Sequence, residues 1–433
     1  MPILTEKCLS ACVHRIVSDQ PVTDLHTHVF SPVFGVSPEA NAGLLWGIDE
    51  LLTYHYLIAE VFRVVPATVM SYDAFYGLGT AEQADYIWEH LFVRRGPMSE
   101  ATRGVVTTLC RLGLDPKEKT LGPYRKYFAS LDADGYVDLV MKLANVDQIT
   151  MTNEVFDSVE SELWLGGADV GGDDRFACVL RIDALLLDWS VAREKLVGWG
   201  YAVGGDLEGV SGGDVLVEVR RFLNDWIDRI KPVYVATSLP PSFCYPMVEG
   251  SWMGRLIDEA LLPVLADRGL AWALMIGAVR GTNAGLGVAG DSLGLSDVDA
   301  VVNLCRGYGN NKFMVTMLAR ENQHELAVVS RKFGNLLPFG CWWYLNNPSL
   351  ITEMTRMRLE LLGTTFSPQH SDARILDQLI YKWDHSRKII GNVLVEKYRD
   401  LMAVGYEVTS EEVEADVKRL LRDTYREFVG LPL

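Results

Sequence analysis

Short apolar segments alternate with helix-length segments along most of the chain. We predict a first strand within PVTDLHTHVF at 21–30, and further strands at 146–153, 175–183, 232–239, 270–279, 312–318, 335–340 and 361–368. Most of the gaps between them carry apolar residues at the helical period. Eight strands alternating with helices favour an α/β protein with a parallel sheet, and over this length a distorted (β/α)8 TIM barrel.

Residues 40–145 depart from this alternation, because helical patterns dominate there and strand patterns are scarce. The segment IDELLTYHYLIAEVFRVV at 48–65 is one such helical pattern. We therefore predict a single barrel domain over residues 1–433, with 40–145 as a helical insertion after the first strand. Loops at that end of a barrel strand surround the active site, so the insertion is expected to lie over it.

Charge narrows the classes of partner. The chain has 433 residues, with 40 basic and 57 acidic side chains and a net charge of −17. An acidic surface of this kind argues against a general nucleic-acid binder and against a protein that coats anionic membranes. No apolar run is long enough to span a bilayer, and the N-terminal residues lack a signal-peptide pattern, so a cytoplasmic location is expected. An anionic substrate would need cations placed locally.

Two histidines lie two residues apart in DLHTHVF at 24–30. On a strand, residues i and i+2 point to the same side, so His26 and His28 are expected to project together. Neutral imidazoles are good ligands for zinc and similar divalent metals. The alternative is a pair of core histidines that bond to backbone carbonyls, and this motif alone leaves both interpretations open.

A distant aspartate bears on that choice. The segment PQHSDARIL at 368–376 follows the last predicted strand. In a closed barrel the eighth strand lies beside the first, so Asp372 could reach a metal held by His26 and His28, with open positions for water or substrate. Asp372 could instead cap the following helix, and the two roles are compatible if Ser371 provides the cap.

Several longer motifs in a fixed order now become informative. DLHTHVF, LLTYHYLIAEVFR, VLRID, IGAVR, FGCWWYLNN and HSDAR together resemble the uronate isomerase family of the amidohydrolase superfamily, in its shorter bacterial branch. The resemblance spans nearly the whole chain. It implies a reversible aldose–ketose isomerisation of D-glucuronate to D-fructuronate and of D-galacturonate to D-tagaturonate. A small-molecule uronate is then the expected partner, without nucleic acid or membrane, and homo-oligomer formation stays open.

The resemblance also implies a site. His26, His28 and Asp372 would hold one divalent metal, with zinc expected, and the other matching residues are His55, Tyr56, Arg181, Arg374, Trp342 and Trp343. The chemistry of the residues is compatible with this, since arginine suits a carboxylate and a metal can stabilise an enediolate oxygen. Tyr56 with His55, or Asp372 itself, could move the proton between C2 and C1, and the sequence does not rank them. It also leaves open whether hydrogen moves as a proton through an enediol or by a direct hydride shift.

Three positions depart from the longer branch of that family. Met275 replaces a histidine, and Thr237 and Ser238 replace an Asp-His pair. A thioether is a poor zinc ligand, so three protein ligands are expected. The alternatives that remain are a mononuclear metal-dependent hydrolase or lyase acting on another sugar acid, and a non-catalytic binding protein. The glycine pattern GLGVAG at 285–290 lies several residues past its strand, which argues against a dinucleotide site.

Overall fold

A curled parallel sheet of seven strands forms the centre of the protein. The computed structural model describes residues 3–35, 43–170, 172–204 and 212–433, so residues 40–42 of the predicted insertion lie outside the described residues. The strands in chain order are β1 (Val22–Thr27), β2 (Val146–Glu154), β3 (Phe176–Arg181), β4 (Tyr234–Leu239), β5 (Ala271–Ile276), β6 (Ala278–Val279), β7 (Ser292–Leu293), β8 (Lys312–Met317) and β9 (Leu336–Pro338). The order in the large sheet is β1-β2-β3-β4-β5-β8-β9, and β6 pairs with β7 in a separate antiparallel hairpin.

Every pairing within the large sheet is parallel. The α/β class and seven of the predicted strand segments are thereby confirmed. All six residues of β1 and all six of β5 are buried. Strands of a parallel sheet are covered on both faces, which explains the continuous apolar run AWALMI of β5, whereas β1 (VTDLHT) is buried although four of its six residues are polar.

The helices connect and surround the strands. They are α1 (Glu6–Asp19), α2 (Ile48–Leu52), α3 (His55–Val64), α4 (Tyr72–Tyr76), α5 (Thr80–Trp88), α6 (Glu100–Arg111), α7 (Gly122–Phe128), α8 (Ala133–Ala144), α9 (Ser158–Leu165), α10 (Asp183–Leu187), α11 (Trp189–Gly198), α12 (Gly212–Ile230), α13 (Trp252–Arg255), α14 (Leu262–Arg268), α15 (Asp299–Gly307), α16 (Gln323–Ser330), α17 (Pro348–Leu362), α18 (Gln378–Ala403), α19 (Ser410–Lys418) and α20 (Thr424–Val429). Within the described ranges, none combines the length and apolarity that crossing a membrane requires.

The apolar side chains of the sheet divide between two separate clusters. Along β5, Trp272 and Leu274 belong to the large cluster that includes the helices, whereas Ala271, Ala273 and Met275 belong to a smaller one. This period of two separates the two faces of the strand. The smaller cluster also contains Trp342 and Trp343 and so lies inside the curl. Its three members from β5 include two alanines, which suits a narrow interior.

The predicted eighth strand at 361–368 differs from the structure. Helix α17 continues to Leu362 and ends at Gly363, whose φ of +61° is a left-handed conformation that favours glycine. The two leucines that resemble the start of a strand are therefore the last turn of a helix. Only Ser367 makes a strand-like bridge, which is parallel and pairs with Phe339 just past β9.

An extended segment nevertheless connects the two edges of the sheet. On one side, Gly340 N donates to Ser367 O at 2.8 Å and Ser367 N donates to Pro338 O at 3.3 Å. On the other, Asp372 N donates to His26 O at 3.2 Å and His28 N donates to Ala373 O at 2.7 Å. We call residues 367–373 the closing segment. It satisfies backbone groups of both edges, which would otherwise lack partners.

A buried carboxylate strengthens the junction between the closing segment and β1. Asp24 Oδ1 accepts a hydrogen bond from Ser371 N at 3.1 Å, and its Oδ2 accepts one from Trp383 Nε1 on α18 at 2.8 Å. Burial raises the pKa of Asp24 to about 6. This one side chain therefore joins the first strand, the closing segment and the long C-terminal helix.

The helical pattern at 48–65 is broken in the structure into α2 and α3. The break falls at Thr53 and Tyr54, and α3 begins at His55. Tyr54 has extended dihedral angles of φ −67° and ψ 143°. The apolar period continues through the break, so periodicity alone did not reveal it.

Gly340 is a position where the closing segment tolerates no side chain. A Cβ there would lie 1.8 Å from His370 Nδ1, and its φ is +68°. We expect Gly340→Ala to lower the free energy of unfolding by about 3 kcal/mol or more, because strain and overpacking add. Denaturant unfolding of Gly405→Ala is the matched control, since Gly405 has φ +90° with open space around it. Equal losses in the two variants would contradict tight packing at the closing segment.

Candidate active site

The structure brings the two histidines and the aspartate together. His26 Nε2 lies 3.6 Å and His28 Nε2 lies 3.5 Å from the same atom, Asp372 Oδ1. Among the described residues, these three form a group whose ligand atoms all lie within 4.8 Å of one another. His28 lies one residue beyond the end of β1, so the strand end and the closing segment together create the cluster.

Hydroxyl groups determine which ring nitrogen of each histidine faces the cluster. Tyr234 donates its hydroxyl proton to Leu25 O at 2.7 Å, so at 3.3 Å its oxygen accepts from His26 Nδ1. Thr152 likewise donates to Thr27 O, and its oxygen accepts from His28 Nδ1 at 3.0 Å. With Nδ1 protonated in both rings, both Nε2 atoms present a lone pair to the cluster.

The surroundings of this group favour the protonation states that a cation requires. Burial lowers the pKa of His26 well below its ordinary value, so this imidazole is neutral. Burial alone would raise the pKa of Asp372, but its interactions with His28 and the other nearby imidazoles outweigh burial and lower that pKa to about 2. Asp372 is therefore an ionised carboxylate beside neutral imidazole.

Two atoms of the cluster are orphaned. His26 Nε2 and Asp372 Oδ1 are buried and have no hydrogen-bond partner within the described part of the chain. Buried polar atoms seldom lack partners, so this pair of atoms indicates a binding site for a ligand. Two imidazole nitrogens and one carboxylate oxygen are a donor set that divalent transition metals favour, and the residues present therefore fit such an ion.

Asp372 reaches the cluster through an uncommon backbone conformation. Its φ is +53°, which costs energy for most residues other than glycine, although aspartate and asparagine tolerate it best. Helix α18 begins only at Gln378, so Asp372 does not cap that helix. Of the two roles considered from the sequence, the structure is compatible with the ligand role and not with the cap.

A cavity of about 240 Å³ opens in front of the cluster. It is lined by His26, His28, Tyr54, His55, Arg181, Ser238, Met275, Arg280, Val288, Trp342, Trp343, Asp372 and Arg374. This set contains every predicted site residue except Tyr56. It also contains Tyr54, Arg280 and Val288, which sequence analysis did not propose. The IGAVR motif already ended on Arg280, but nothing local indicated that this side chain turns back toward the site.

Tyr56 lines a neighbouring cavity that shares His55 and Trp343 with the first. The tyrosine that lines the main cavity is Tyr54 rather than Tyr56, and Tyr54 lies in the break between α2 and α3. Burial raises the pKa of both phenols, so each keeps its proton near neutral pH. Burial also lowers the pKa of His55 to about 4, and its Nε2 is buried without a partner among the described residues.

The two predicted arginines are held differently. Arg181 donates from Nε and Nη2 to Asp183 Oδ2 at 3.0 and 2.6 Å. Arg374 donates from Nη1 to His28 O at 3.2 Å and to Gly43 O at 3.0 Å. Burial lowers the pKa of Arg374, and its guanidinium lies 5.4 Å from the Phe30 ring. Arg374 thus secures the end of β1 as well as lining the cavity.

The three departures noted in the sequence have different positions. Met275 and Ser238 line the cavity, whereas the Thr237 hydroxyl accepts from Trp272 Nε1 at 3.1 Å, in the apolar layer that includes the helices. Trp342 and Trp343 both line the cavity, and the Trp343 ring lies 5.5 Å from His55. The cavity therefore combines cations and a carboxylate with apolar walls, as small-molecule binding sites commonly do.

Comparison with solved structures finds a relative that matches end to end. A uronate isomerase from Bacillus halodurans C-125 is 49% identical, with a TM-score of 0.93, and the match covers 100% of this chain and 98% of that one. A glucuronate isomerase from Caulobacter crescentus is 16% identical with a TM-score of 0.76, covering 99% and 95% of the two chains. A uronate isomerase from Thermotoga maritima is 15% identical with a TM-score of 0.72, covering 99% and 100%.

The two distant matches share the fold. No protein-family model and no curated protein matches the chain.

The hydroxyl groups behind the histidines can be tested separately. We expect Thr152→Val to weaken the affinity for an added divalent metal, with Zn²⁺ as the probe, about tenfold, because His28 loses the acceptor that holds its Nδ1 proton. Competition titration against a chromogenic chelator measures this. Thr150→Val is the control, since Thr150 lies two residues away on β2 and its hydroxyl contacts Tyr425 instead. Equal affinities for the two variants would contradict the tautomer assignment.

Proposed function

The chain belongs to the uronate isomerase family, and we propose that it interconverts D-glucuronate with D-fructuronate and D-galacturonate with D-tagaturonate. It is an isomerase, and its substrate is a small sugar acid. The observation that carries the proposal is one cavity whose lining includes His26, His28 and Asp372 together with Arg181 and two tryptophans. With a metal bound, this lining would offer an electrophile to the carbonyl group of a sugar acid and a cation to its carboxylate.

His26, His28 and Asp372 would hold one divalent metal, and zinc is the ion we propose. The orphaned Nε2 and Oδ1 atoms support this choice, as does the preference of imidazole for zinc. When bound, such a metal polarises a carbonyl oxygen and stabilises negative charge on it. Met275 is a poor ligand for zinc, so we assign it to the cavity wall.

Asp372 is the residue we propose as the base. The isomerisation removes a proton from C2 of the aldose and delivers one to C1, so a group that can accept and then donate is required. The Asp372 carboxylate is ionised, whereas Tyr54 and Tyr56 keep their protons. The tyrosines would therefore donate hydrogen bonds, and the unpartnered Nε2 of neutral His55 would form a hydrogen bond with a substrate hydroxyl.

Arg181 and Arg374 would bind the carboxylate and the hydroxyl groups of the sugar acid. A guanidinium suits a carboxylate because it stays charged and donates charge-assisted hydrogen bonds to the carboxylate oxygens. Trp342 and Trp343 would cover the apolar face of the sugar, and the buried Trp343 Nε1 lacks a partner in the described chain. Because the whole chain has a net charge of −17, these local cations are decisive for attracting an anion to the cavity.

The domain organisation is also part of the proposal. We propose that the closing segment takes the place of an eighth strand, which would complete a distorted (β/α)8 barrel. We also propose that the helices between β1 and β2 are an insertion within a single domain. Tyr54 and His55 support this, because these two residues of the insertion line the cavity of the barrel.

Turnover is the direct test of the proposal. We expect the purified protein to convert D-glucuronate to a ketose, with about one zinc per chain by elemental analysis of the same sample. Chelation should abolish turnover, and added zinc should restore it. A protein that carries zinc but leaves both D-glucuronate and D-galacturonate unchanged would contradict the proposed reaction.

Asp372→Asn tests the base. Asparagine tolerates a positive φ, so the fold should survive, while kcat should fall at least about a thousandfold because an amide cannot accept the proton. Melting temperature and circular dichroism check the fold. Asp132→Asn is the matched control, since Asp132 caps α8 on the surface and asparagine caps equally well. A kcat close to that of the wild type in Asp372→Asn would exclude Asp372 as the base.

A further inference from the structure

Arg181 is held by a clamp of side chains that the proposed chemistry does not use directly. Asp183 begins helix α10, two residues after Arg181, and accepts from two of its three guanidinium nitrogens through one oxygen, Oδ2. The other oxygen, Oδ1, accepts from Ser238 N at 2.8 Å, at the end of the neighbouring strand β4. Asp183 therefore ties the guanidinium to the sheet rather than to solvent.

Two further groups complete the clamp. Ser238 Oγ accepts from Arg181 Nη2 at 3.2 Å, and Glu154 Oε2 lies 3.4 Å from Arg181 Nε. Burial raises the pKa of Glu154 well above its ordinary value, so this carboxyl tends to keep its proton. Asp183 is thus the main source of negative charge facing the guanidinium, and the pair is only 18% and 19% exposed.

The remaining nitrogen has a different environment. Arg181 Nη1 has no hydrogen-bond partner among the described residues, and unlike His26 Nε2 or Asp372 Oδ1 it is not shielded from solvent. It is therefore accessible, and Arg181 lines the cavity. With Nε and Nη2 both engaged by the clamp, the planar guanidinium has one orientation, and Nη1 is the donor left for a ligand.

The geometry points to Asp183 as a positioning residue that determines selectivity for sugar acids, because it orients Arg181 so that Nη1 meets the carboxylate of the substrate. This inference rests on the proposed uronate isomerase function. An arginine that is already oriented loses less conformational freedom when a carboxylate binds. Ser238 has a smaller part in the same role, through Arg181 Nη2.

The first test separates binding from turnover. We expect Asp183→Asn to raise KM for D-glucuronate about tenfold, with kcat within about threefold of the wild type, because a charge-assisted contact is lost in the ground state and the transition state alike. Quenching of tryptophan fluorescence by D-glucuronate provides an affinity that does not depend on turnover, since Trp342 and Trp343 line the cavity. That affinity should fall by the same factor.

A double-mutant cycle then asks whether Asp183 acts through Arg181. In an Arg181→Met background, Asp183→Asn should raise KM no further, because the guanidinium that it orients is gone. Asp173→Asn is the matched control, since Asp173 accepts three hydrogen bonds from Arg175 at the same spacing of two residues and neither residue lines the cavity. Its KM should equal that of the wild type.

Each alternative outcome is distinct. An unchanged KM in Asp183→Asn, or a KM increase that adds in full to that of Arg181→Met, would overturn the inference. If Asp183→Asn does not fold, Ser238→Ala decides, with an expected KM increase of about threefold that disappears in the Arg181→Met background; an unchanged KM would overturn the inference. A wild-type protein that neither binds nor converts uronates would instead overturn the proposed function.

Discussion

The hydrogen bonds between β1 and the closing segment are the constraint on which the site depends. They bring Asp372 within reach of two histidines that lie some 345 positions earlier in the chain. The buried Asp24 carboxylate reinforces the same junction by joining Ser371 and Trp383. Without this junction, the imidazoles would line an open sheet edge and the carboxylate would belong to an unattached loop.

The junction imposes costs that the surrounding structure offsets. Asp372 adopts a positive φ, and a glycine at 340 is needed so that the buried His370 ring can pack against the chain. Strained backbone of this kind persists only where neighbouring contacts determine it, and it is frequent at functional sites. The orphaned atoms of His26 and Asp372 add to the cost, and a bound cation would recover it. Stability and ligand binding are therefore linked in this part of the molecule.

Pairs of buried groups tune the polar cavity. Tyr234 and Thr152 each donate a hydrogen bond to a backbone carbonyl and so present the hydroxyl oxygen as an acceptor to a histidine. Asp183 orients Arg181 in a comparable way, since it accepts hydrogen bonds from Nε and Nη2 of the guanidinium and leaves Nη1 available. In each case the side chain that faces the cavity is oriented by one that does not line it. Such preorganisation lets a site bind charge without rearranging its own dipoles.

Much of this arrangement could be predicted from the sequence. Seven strand segments and the histidine pair follow from periodicity and short spacing, while Asp372, the arginines and the tryptophans follow from the order of family-like motifs. The periodicity and the spacing are local signals, since each involves residues that are neighbours along the chain.

The sequence could not reveal the rest, because it depends on packing between distant segments. Tyr234 lies 208 positions from His26, and Thr152 lies 124 from His28, so no spacing rule connects them. The break at Tyr54 is hidden because the apolar period continues through it, and the two leucines before Gly363 resemble a strand although they end a helix. The sequence by itself determined which chemical groups the protein has, while the tertiary structure decided which atoms of those groups face the cavity, because hydrogen-bond geometry depends on how the segments pack.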